Sequence, residues 1–284
     1  MPVKSAAPRA SLHLALIGAG IRHSPSPAMQ QAALDARGLR GEYSLLDVAP
    51  EELPGLLNRI RAGELTGCNV TVPYKSALAA ACDRLEGDAA VCQAVNTLVG
   101  DAGELVGDDT DARGFELALG YLRLLPESGG TGLVFGAGGG AAAVVLALCR
   151  MGVEEIAVAA RRVDQASDLC LRVSPENGRP VAWEECAELE AIAENADIVV
   201  NATSTGAGNL PLPLDVLPER CIVADLRYRP RPVDLVEAAE QRGLRATDGV
   251  EMLLFQGMLS FQRWTGADPP WHAARQALVA ALEG

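Results

Sequence analysis

The stretch GLVFGAGGGAAAVVLAL (132–148) decides how the rest of the chain is read. An apolar run, Gly132 to Phe135, leads into Gly136-Ala137-Gly138-Gly139-Gly140-Ala141, and an alanine-rich helix opens directly behind it. This is a strand, a glycine turn and a helix in the context a GxGxxA dinucleotide fingerprint requires. The first glycine permits the tight turn, and the second lets a pyrophosphate approach the backbone. The small third residue lets helix and strand pack closely, while the helix N-terminus faces the phosphates with its partial positive charge. A plainer reading, a glycine-rich turn in an ordinary α/β domain, stays beside it at this point.

Outward from this turn the alternation continues. EEIAVAARR (154–162) reads as a strand, 164–173 as a helix, PVAW (180–183) as a strand and 185–194 as a helix. ADIVVNAT, CIVADLRY and LRATDG supply further strands, and helices close the chain. Toward the N-terminus, SLHLALIGAG (11–20), EYSLLDV (42–48) and GCNVTVPYK (67–75) are strands separated by helices at 28–38 and 49–63. SALAAACDRL (76–85) reads as another helix, and AVNTLV with ELVGDD as a hairpin around Gly100–Gly103. SPSP (24–27) is expected to hold off helix formation at its prolines. Repeated β-α units imply a parallel, helix-covered sheet. Two such stretches meet at the turn-rich joint PESGGTG (126–132).

The totals agree with a soluble two-domain protein. The 284 residues are 49% hydrophobic and 21% charged. A net charge of −13 argues against nucleic acid or an anionic membrane as the main partner. No run of eighteen apolar residues is present, so no transmembrane helix is expected. The opening MPVKSAAPRASLH lacks the apolar core of a secretion signal and reads as a short arm. Seven scattered cysteines without CxxC fit reduced thiols of a cytoplasmic protein. Three distant histidines show no metal-ligand spacing, so no metal is expected.

At the end of the second strand after the glycine turn, where an acid would hold a ribose hydroxyl, the chain has Ala160-Arg161-Arg162. Two guanidiniums suit a 2′-phosphate, which favours NADP over NAD; Asp164 nearby could still serve a ribose. An earlier Gly18-Ala19-Gly20 is an improbable nucleotide loop, because His23 and prolines follow it.

Of the 24 Lys and Arg residues only Lys4 and Lys75 are lysines. Lysine can exchange a proton where arginine cannot. A metal-free nicotinamide enzyme needs such a carrier, with short polar groups to orient its substrate. Candidates are Ser24, Ser26, Asn69, Thr71, Lys75, Asn96, Thr97, Thr110 and Asp111, although singly such residues are more often turn formers or helix caps.

HSPSPAM, GCNVTVPYK, QAVNTL, GDDTDARGF, FGAGGGAA, VNATSTG, DLRYRP and DGVEMLLFQ occur in the order and spacing of the shikimate dehydrogenase family, which the chain resembles from about Leu16 to Gly266. The resemblance implies an α/β chain of two domains with the active site in the cleft between them. The substrate domain would comprise 1–110 plus 250–284, and an inserted Rossmann-like NADP-binding domain 111–249. Lys75 would be the acid/base residue and Asp111 its partner. A neighbouring carboxylate raises an ammonium pKa, so any lowering must come from desolvation. Ser24, Ser26, Thr71, Asn96, Tyr228 and Gln256 would hold the substrate's carboxylate and hydroxyls. Gly136 to Ala141, Arg161, Arg162, Thr203, Ser204, Leu226 and Gly249 would surround the cofactor. The implied reaction interconverts shikimate and 3-dehydroshikimate with NADP, within aromatic amino acid biosynthesis.

The chain departs from the family pattern in several places. Asp109 stands where Asn is usual before Thr-Asp, Ala160-Arg161-Arg162 stands for the usual Asn-Arg-Thr, and Gln165 for a second arginine expected a few residues later. Gly18-Ala19-Gly20-Ile21 and Gln30-Gln31 also differ. These leave room for a dehydrogenase of quinate or an aminated analogue, using NADP or NAD. A reading from another class is an idle relative that senses the metabolite or NADPH, against which Lys75 and Asp111 argue. The sequence does not choose between monomer and homodimer. Trp264 and Trp271, beside the C-terminal helix, are expected in the core.

Overall fold

The computed structural model describes residues 11–211 and 214–283; Lys4 and the N-terminal arm lie outside them. Contacts divide the chain into two compact units. The first draws on Met1–Glu86, Val95–Asp108 and Gly257–Gly284, and the second on Gly87–Ala94 and Asp109–Gln256.

In the first unit, β1 (Leu12–Gly18), α1 (Ser26–Ala36), β2 (Gly41–Asp47), α2 (Leu53–Arg61), β3 (Gly67–Val70), α3 (Lys75–Ala81) and β4 (Arg84–Leu85) follow one another. The chain passes through α4 (Asp88–Cys92), which packs with the second unit, and returns as β5 (Thr97–Asp101) and β6 (Glu104–Asp108). The sheet runs β2-β1-β3-β5-β6-β4. β1 pairs in parallel with β2 and β3, and its apolar centre is buried as a strand covered on both faces must be. The β5–β6 hairpin joins β3 antiparallel, so the sheet is mixed rather than wholly parallel.

α1 begins at Ser26, not beyond the prolines. Pro27 falls in its first turn, where a missing N–H is no loss. α3 stops at Ala81, and Arg84–Leu85 of the expected 76–85 helix instead forms a strand beside β6.

The second unit contains α4, α5 (Asp111–Leu122), β7 (Thr131–Phe135), α6 (Gly139–Arg150), β8 (Glu155–Ala160), α7 (Val163–Val173), β9 (Gly178–Ala182) and α8 (Cys186–Ala193). β10 (Ile198–Asn201), β11 (Ile222–Asp225), α9 (Asp234–Gln241) and β12 (Arg245–Thr247) complete it. Its sheet is parallel throughout, in the order β12-β11-β10-β7-β8-β9, the doubly wound Rossmann arrangement. Alternate side chains feed two cores. Val134, Val158, Val200 and Ala224 face α5, α6 and α7, while Leu133, Phe135, Ala157, Val199 and Val223 face α8 and α9. Each fully buried Val, Leu, Ile or Phe among them contributes about 1.5–3 kcal/mol relative to exposure.

α9 has no counterpart in the sequence reading, although Asp234 at its start, buried Leu235 and Ala239, and Gly243 beyond its end are ordinary helix signals. α10 (Val250–Thr265) and α11 (Trp271–Glu283) end the chain. The unit boundaries differ from those drawn on the sequence. Residues 87–94 pack with the second unit because Cys92 and Ala94 enter its core and Asp88 pairs with Arg150 at 2.5 Å. The first turns of α10 go with it too, through Met252 and through Phe255 against Tyr121. Trp264 is buried in the first unit and donates its indole N–H to the Leu98 carbonyl at 3.1 Å, but Trp271 is 37% exposed and is not core. Among the described residues no helix is long and apolar enough to cross a membrane.

Candidate active-site residues

In the first unit the candidates gather where β1 and β3 end and β5 begins, the carboxyl edge on which open α/β sheets place ligands. Beyond β3 the chain makes a turn, with the Tyr74 N–H donating to the Thr71 carbonyl at 3.0 Å. The Thr71 N–H donates to Ile17 of β1, and the Tyr74 hydroxyl to the Val48 carbonyl at 2.7 Å. Lys75 is the first residue of α3, half-buried, and its own carbonyl accepts from the Val95 N–H at 3.1 Å. Its backbone is therefore held from both sides, and the lysine sits at a fixed point of the sheet edge.

Ser24 and Ser26 stand beyond β1 at the start of α1, hydroxyl to hydroxyl at 3.1 Å. Asn96 is buried beside the end of β3. Its carbonyl accepts from the Val70 N–H and the Asn69 amide, and its Oδ1 from the Thr97 hydroxyl at 2.7 Å.

Asn69 and Thr97 do not join this edge as open groups. They form a buried chain in which Tyr43 donates to Asn69 Oδ1 at 2.8 Å, Asn69 donates to Ser260 Oγ at 2.9 Å, and Ser260 meets Thr97 at 2.7 Å. Directly opposed on β3 and β5, they are consumed inside the sheet. Buried polar groups must be satisfied, and these satisfy one another while setting Asn96.

In the second unit Asp111 opens α5 and is buried. Its N–H donates to Asp109 Oδ1 at 2.8 Å, so the residue that departs from the family pattern acts as a helix-start acceptor. Thr110 Oγ1 donates to the Gln256 carbonyl at 2.9 Å, which brings Gln256 beside the start of α5. Gly114 seats against Gln256, where a Cβ would approach the Gln256 Cβ to 2.7 Å. The carboxylates here reach the buried Cys92 thiol. Its pKa is raised by burial first, and then by Asp109, Asp88 and Asp111. Tyr228 lies half-buried in the loop after β11.

The glycine turn sits between β7 and α6, at the point where strand order reverses. Gly136 has φ +118°, a conformation that favours glycine, and a Cβ there would come within 3.1 Å of the Ala202 carbonyl. Gly138 precedes the first residue of α6, and a Cβ on it would meet no protein atom within 4 Å, leaving the helix N-terminus open to a phosphate. Ala141 is fully buried in the core, as the small third position requires. Arg161 and Arg162 follow β8, both exposed and neither in an ion pair among the described residues. The donor set thus fits a dinucleotide carrying a 2′-phosphate.

Thr203 and Leu226 approach this turn, Ser204 follows Thr203 and is exposed, and Gly249 packs against Leu226. A Cβ on Gly136 would stand 3.1 Å from Thr203 Cγ2, and one on Gly140 would stand 3.5 Å from Leu226 Cδ1. A Cβ on Gly249 would overlap the Leu226 carbonyl oxygen, while the Gly249 N–H donates to the Arg227 carbonyl at 3.0 Å.

Sequence reasoning missed the groups that hold these loops. Asn201 and Asp225 end β10 and β11 in direct register, and the Asn201 amide donates to Asp225 Oδ2 at 3.0 Å. The signal was present: two parallel apolar strands each close on a polar residue, in VVNAT and VADLR.

A doubly wound sheet with a glycine turn at its switch point, in a chain whose other α/β unit carries a lysine on its carboxyl edge, defines the class of nicotinamide-dependent oxidoreductases. Over 268 residues the chain is 44% identical to the shikimate dehydrogenase (NADP(+)) of Rubrobacter xylanophilus, covering 93% of this chain and 94% of that one. The chain belongs to the shikimate dehydrogenase family. The family profile "Shikimate dehydrogenase substrate binding domain" matches residues 16–98, "Shikimate / quinate 5-dehydrogenase" matches 126–210, and "Shikimate 5'-dehydrogenase C-terminal domain" matches 249–279. Among solved structures it is similar to the Thermus thermophilus shikimate 5-dehydrogenase in complex with NADP(H) and shikimate. That match has TM-score 0.83 and 36% identity, covering 95% of this chain and 100% of that one. It is also similar to a Corynebacterium glutamicum quinate dehydrogenase in complex with NAD, at TM-score 0.85 and 29% identity, covering 95% and 99%.

Proposed function

We propose that the protein is an NADP-dependent shikimate dehydrogenase, interconverting shikimate and 3-dehydroshikimate. The observation that carries this reading is the similarity of both units, along almost their whole length, to an enzyme solved with NADP(H) and shikimate. Gly136 to Ala141 would receive the pyrophosphate, Arg161 and Arg162 the 2′-phosphate, and Thr203, Ser204, Leu226 and Gly249 would line the rest of the cofactor. Bound NADP would supply the hydride acceptor. Ser24, Ser26, Thr71, Asn96, Tyr228 and Gln256 are assigned to the substrate's carboxylate and hydroxyls.

Lys75 and Asp111 are assigned to proton transfer. In oxidation the neutral Lys75 amine takes the proton of the reacting hydroxyl as the carbon gives up its hydride, and in reduction the ammonium returns it. The turn at 71–74 supports that role by fixing the lysine's backbone. The free cysteines among the described residues accord with a cytoplasmic setting, which we propose with this activity.

A second reading, quinate oxidation with NAD, has support from the similarity to the Corynebacterium enzyme and from the acid at Asp109. Initial rates with shikimate or quinate, each with NADP or NAD, separate the two. Shikimate with NADP is expected to dominate. Preference for quinate or NAD would overturn the assignment, and silence in all four assays with intact NADPH binding would favour a metabolite sensor.

A further inference from the structure

The loops that follow β10 and β11, on one side of the glycine turn, converge on one ionic hub. Asp225, at the end of β11, has a fully buried side chain. Arg227 grips it with Nε at 3.0 Å from Oδ1 and Nη2 at 2.6 Å from Oδ2, and its own N–H donates to Oδ1 at 2.9 Å. The same Nη2 donates to Asp234 Oδ1 at 2.5 Å, and Asp234 Oδ2 accepts the Ala207 N–H at 2.8 Å.

From the other side, Asn201 ties Asp225 to the Thr205 carbonyl at 2.9 Å, and its Oδ1 accepts the Thr203 hydroxyl at 2.7 Å and the Thr203 N–H at 3.1 Å. The Thr205 N–H donates to Thr203 Oγ1 at 3.0 Å. The segment 203–207 is therefore anchored at Thr203 and Thr205 by Asn201, which in turn holds Asp225, and at Ala207 by Asp234, which in turn holds Arg227. The Leu226 N–H donates to the Asn201 carbonyl at 2.9 Å, so the second loop hangs from the same hub.

A carboxylate so deeply buried demands a paired cation, but one that only neutralised it would not have to reach Asp234. Arginine's planar fork does both. Asp234 is half exposed, and its far oxygen is spent on a loop N–H; this contact is directed at the loop's position rather than at the core.

We propose that Arg227 is a positioning residue for the cofactor, holding segment 203–207 and Leu226 against the glycine turn through Asp225, Asn201 and Asp234. The inference rests on the nicotinamide-cofactor reading above.

The test variants are Asp234→Asn, which keeps an acceptor for Arg227 but replaces the one facing the Ala207 N–H with a donor, and Arg227→Lys, which keeps the charge but loses the fork. Each is compared with wild type by NADPH fluorescence titration, by initial rates of shikimate oxidation and by thermal melting. Asp234→Asn is expected to weaken NADPH binding and raise KM for NADP about fivefold, the scale of one ordinary hydrogen bond lost. kcat at saturating NADP, KM for shikimate and the melting temperature should stay close to wild type. Arg227→Lys should move the same constants further in the same direction.

Unchanged NADPH affinity in both folded variants overturns the inference. So does lower thermal stability with no change in KM for NADP, which marks a purely structural ion cluster. Wild-type protein that binds no NADPH overturns the cofactor reading and this inference together, whereas wild-type binding with unaffected variants overturns this inference alone.

Discussion

Lys75 is one of two lysines in a chain that otherwise uses arginine, and its backbone is fixed by Thr71, Tyr74 and Val95. Lys75→Arg keeps the charge that could attract a carboxylated substrate and removes only the exchangeable proton. Turnover of shikimate should fall about 100- to 10,000-fold, the usual yield of a positioned acid–base group. Initial rates decide it, and near-native kcat would remove Lys75 from proton transfer.

Asp109 poses a separate question at the same scale. An asparagine would accept the Asp111 N–H through the same oxygen, so Asp109→Asn should leave α5 as stable as before. Asp109→Ala should cost about 1 kcal/mol in urea unfolding, the net value of one intramolecular hydrogen bond. Equal losses in both variants would mean that the charge, not the hydrogen bond, matters there.

At the scale of elements, the glycine turn shows how a motif is completed by strands distant in sequence. Gly249 lies over a hundred residues beyond Gly136, yet its Cα lies directly against the Leu226 carbonyl. Backbone cannot yield as a flexible side chain can. Gly249→Ala should therefore push the Leu226 loop aside, costing about 1–3 kcal/mol and raising KM for NADP. Thermal melting with initial rates checks both, and a silent substitution would show the loop to be more compliant than its packing implies.

Strands and helices with continuous apolar runs, such as β7 and α6, are legible in the sequence because burial on both faces leaves almost only apolar residues there. α9 is not legible in the sequence because its polar face masks a narrow apolar stripe, Leu235 and Ala239. Among the site candidates, short polar residues at strand ends were found by type. Type alone could not separate Asn96 at the sheet edge from Asn69 and Thr97 inside it. Strand register decides that, and register is set by pairing between segments far apart in sequence.

For the whole molecule, the cysteines give a test that samples both units without relying on any assigned role. Cys68, Cys92, Cys170 and Cys221 are buried, and Cys186 is exposed. Burial pushes the Cys68 and Cys221 thiols up to about 12, Arg59 offsetting part of the first rise and Asp197 adding to the second, and the Cys170 thiol up to about 11. An unfolded thiol ionises near about 8.5, so between that pH and the folded value the native state holds a proton that the unfolded chain has released. Native stability is then fully present below about pH 8.5 and declines as pH rises, by up to about 1.4 kcal/mol per pH unit for each such thiol. Urea midpoints measured under reducing conditions at pH 7, 9 and 10 should fall steadily. Iodoacetamide at pH 8 should reach Cys186 well before the four buried thiols, whose thiolate fraction is negligible in the folded state. Stability that stays flat to pH 10, or early alkylation of Cys68 or Cys221 in folded protein, would mean that these thiols meet water far more often than their burial allows. Two cores that stay closed to hydroxide and alkylating reagent are also what the cofactor loops need, since those loops hang from the ends of the buried strands β10 and β11.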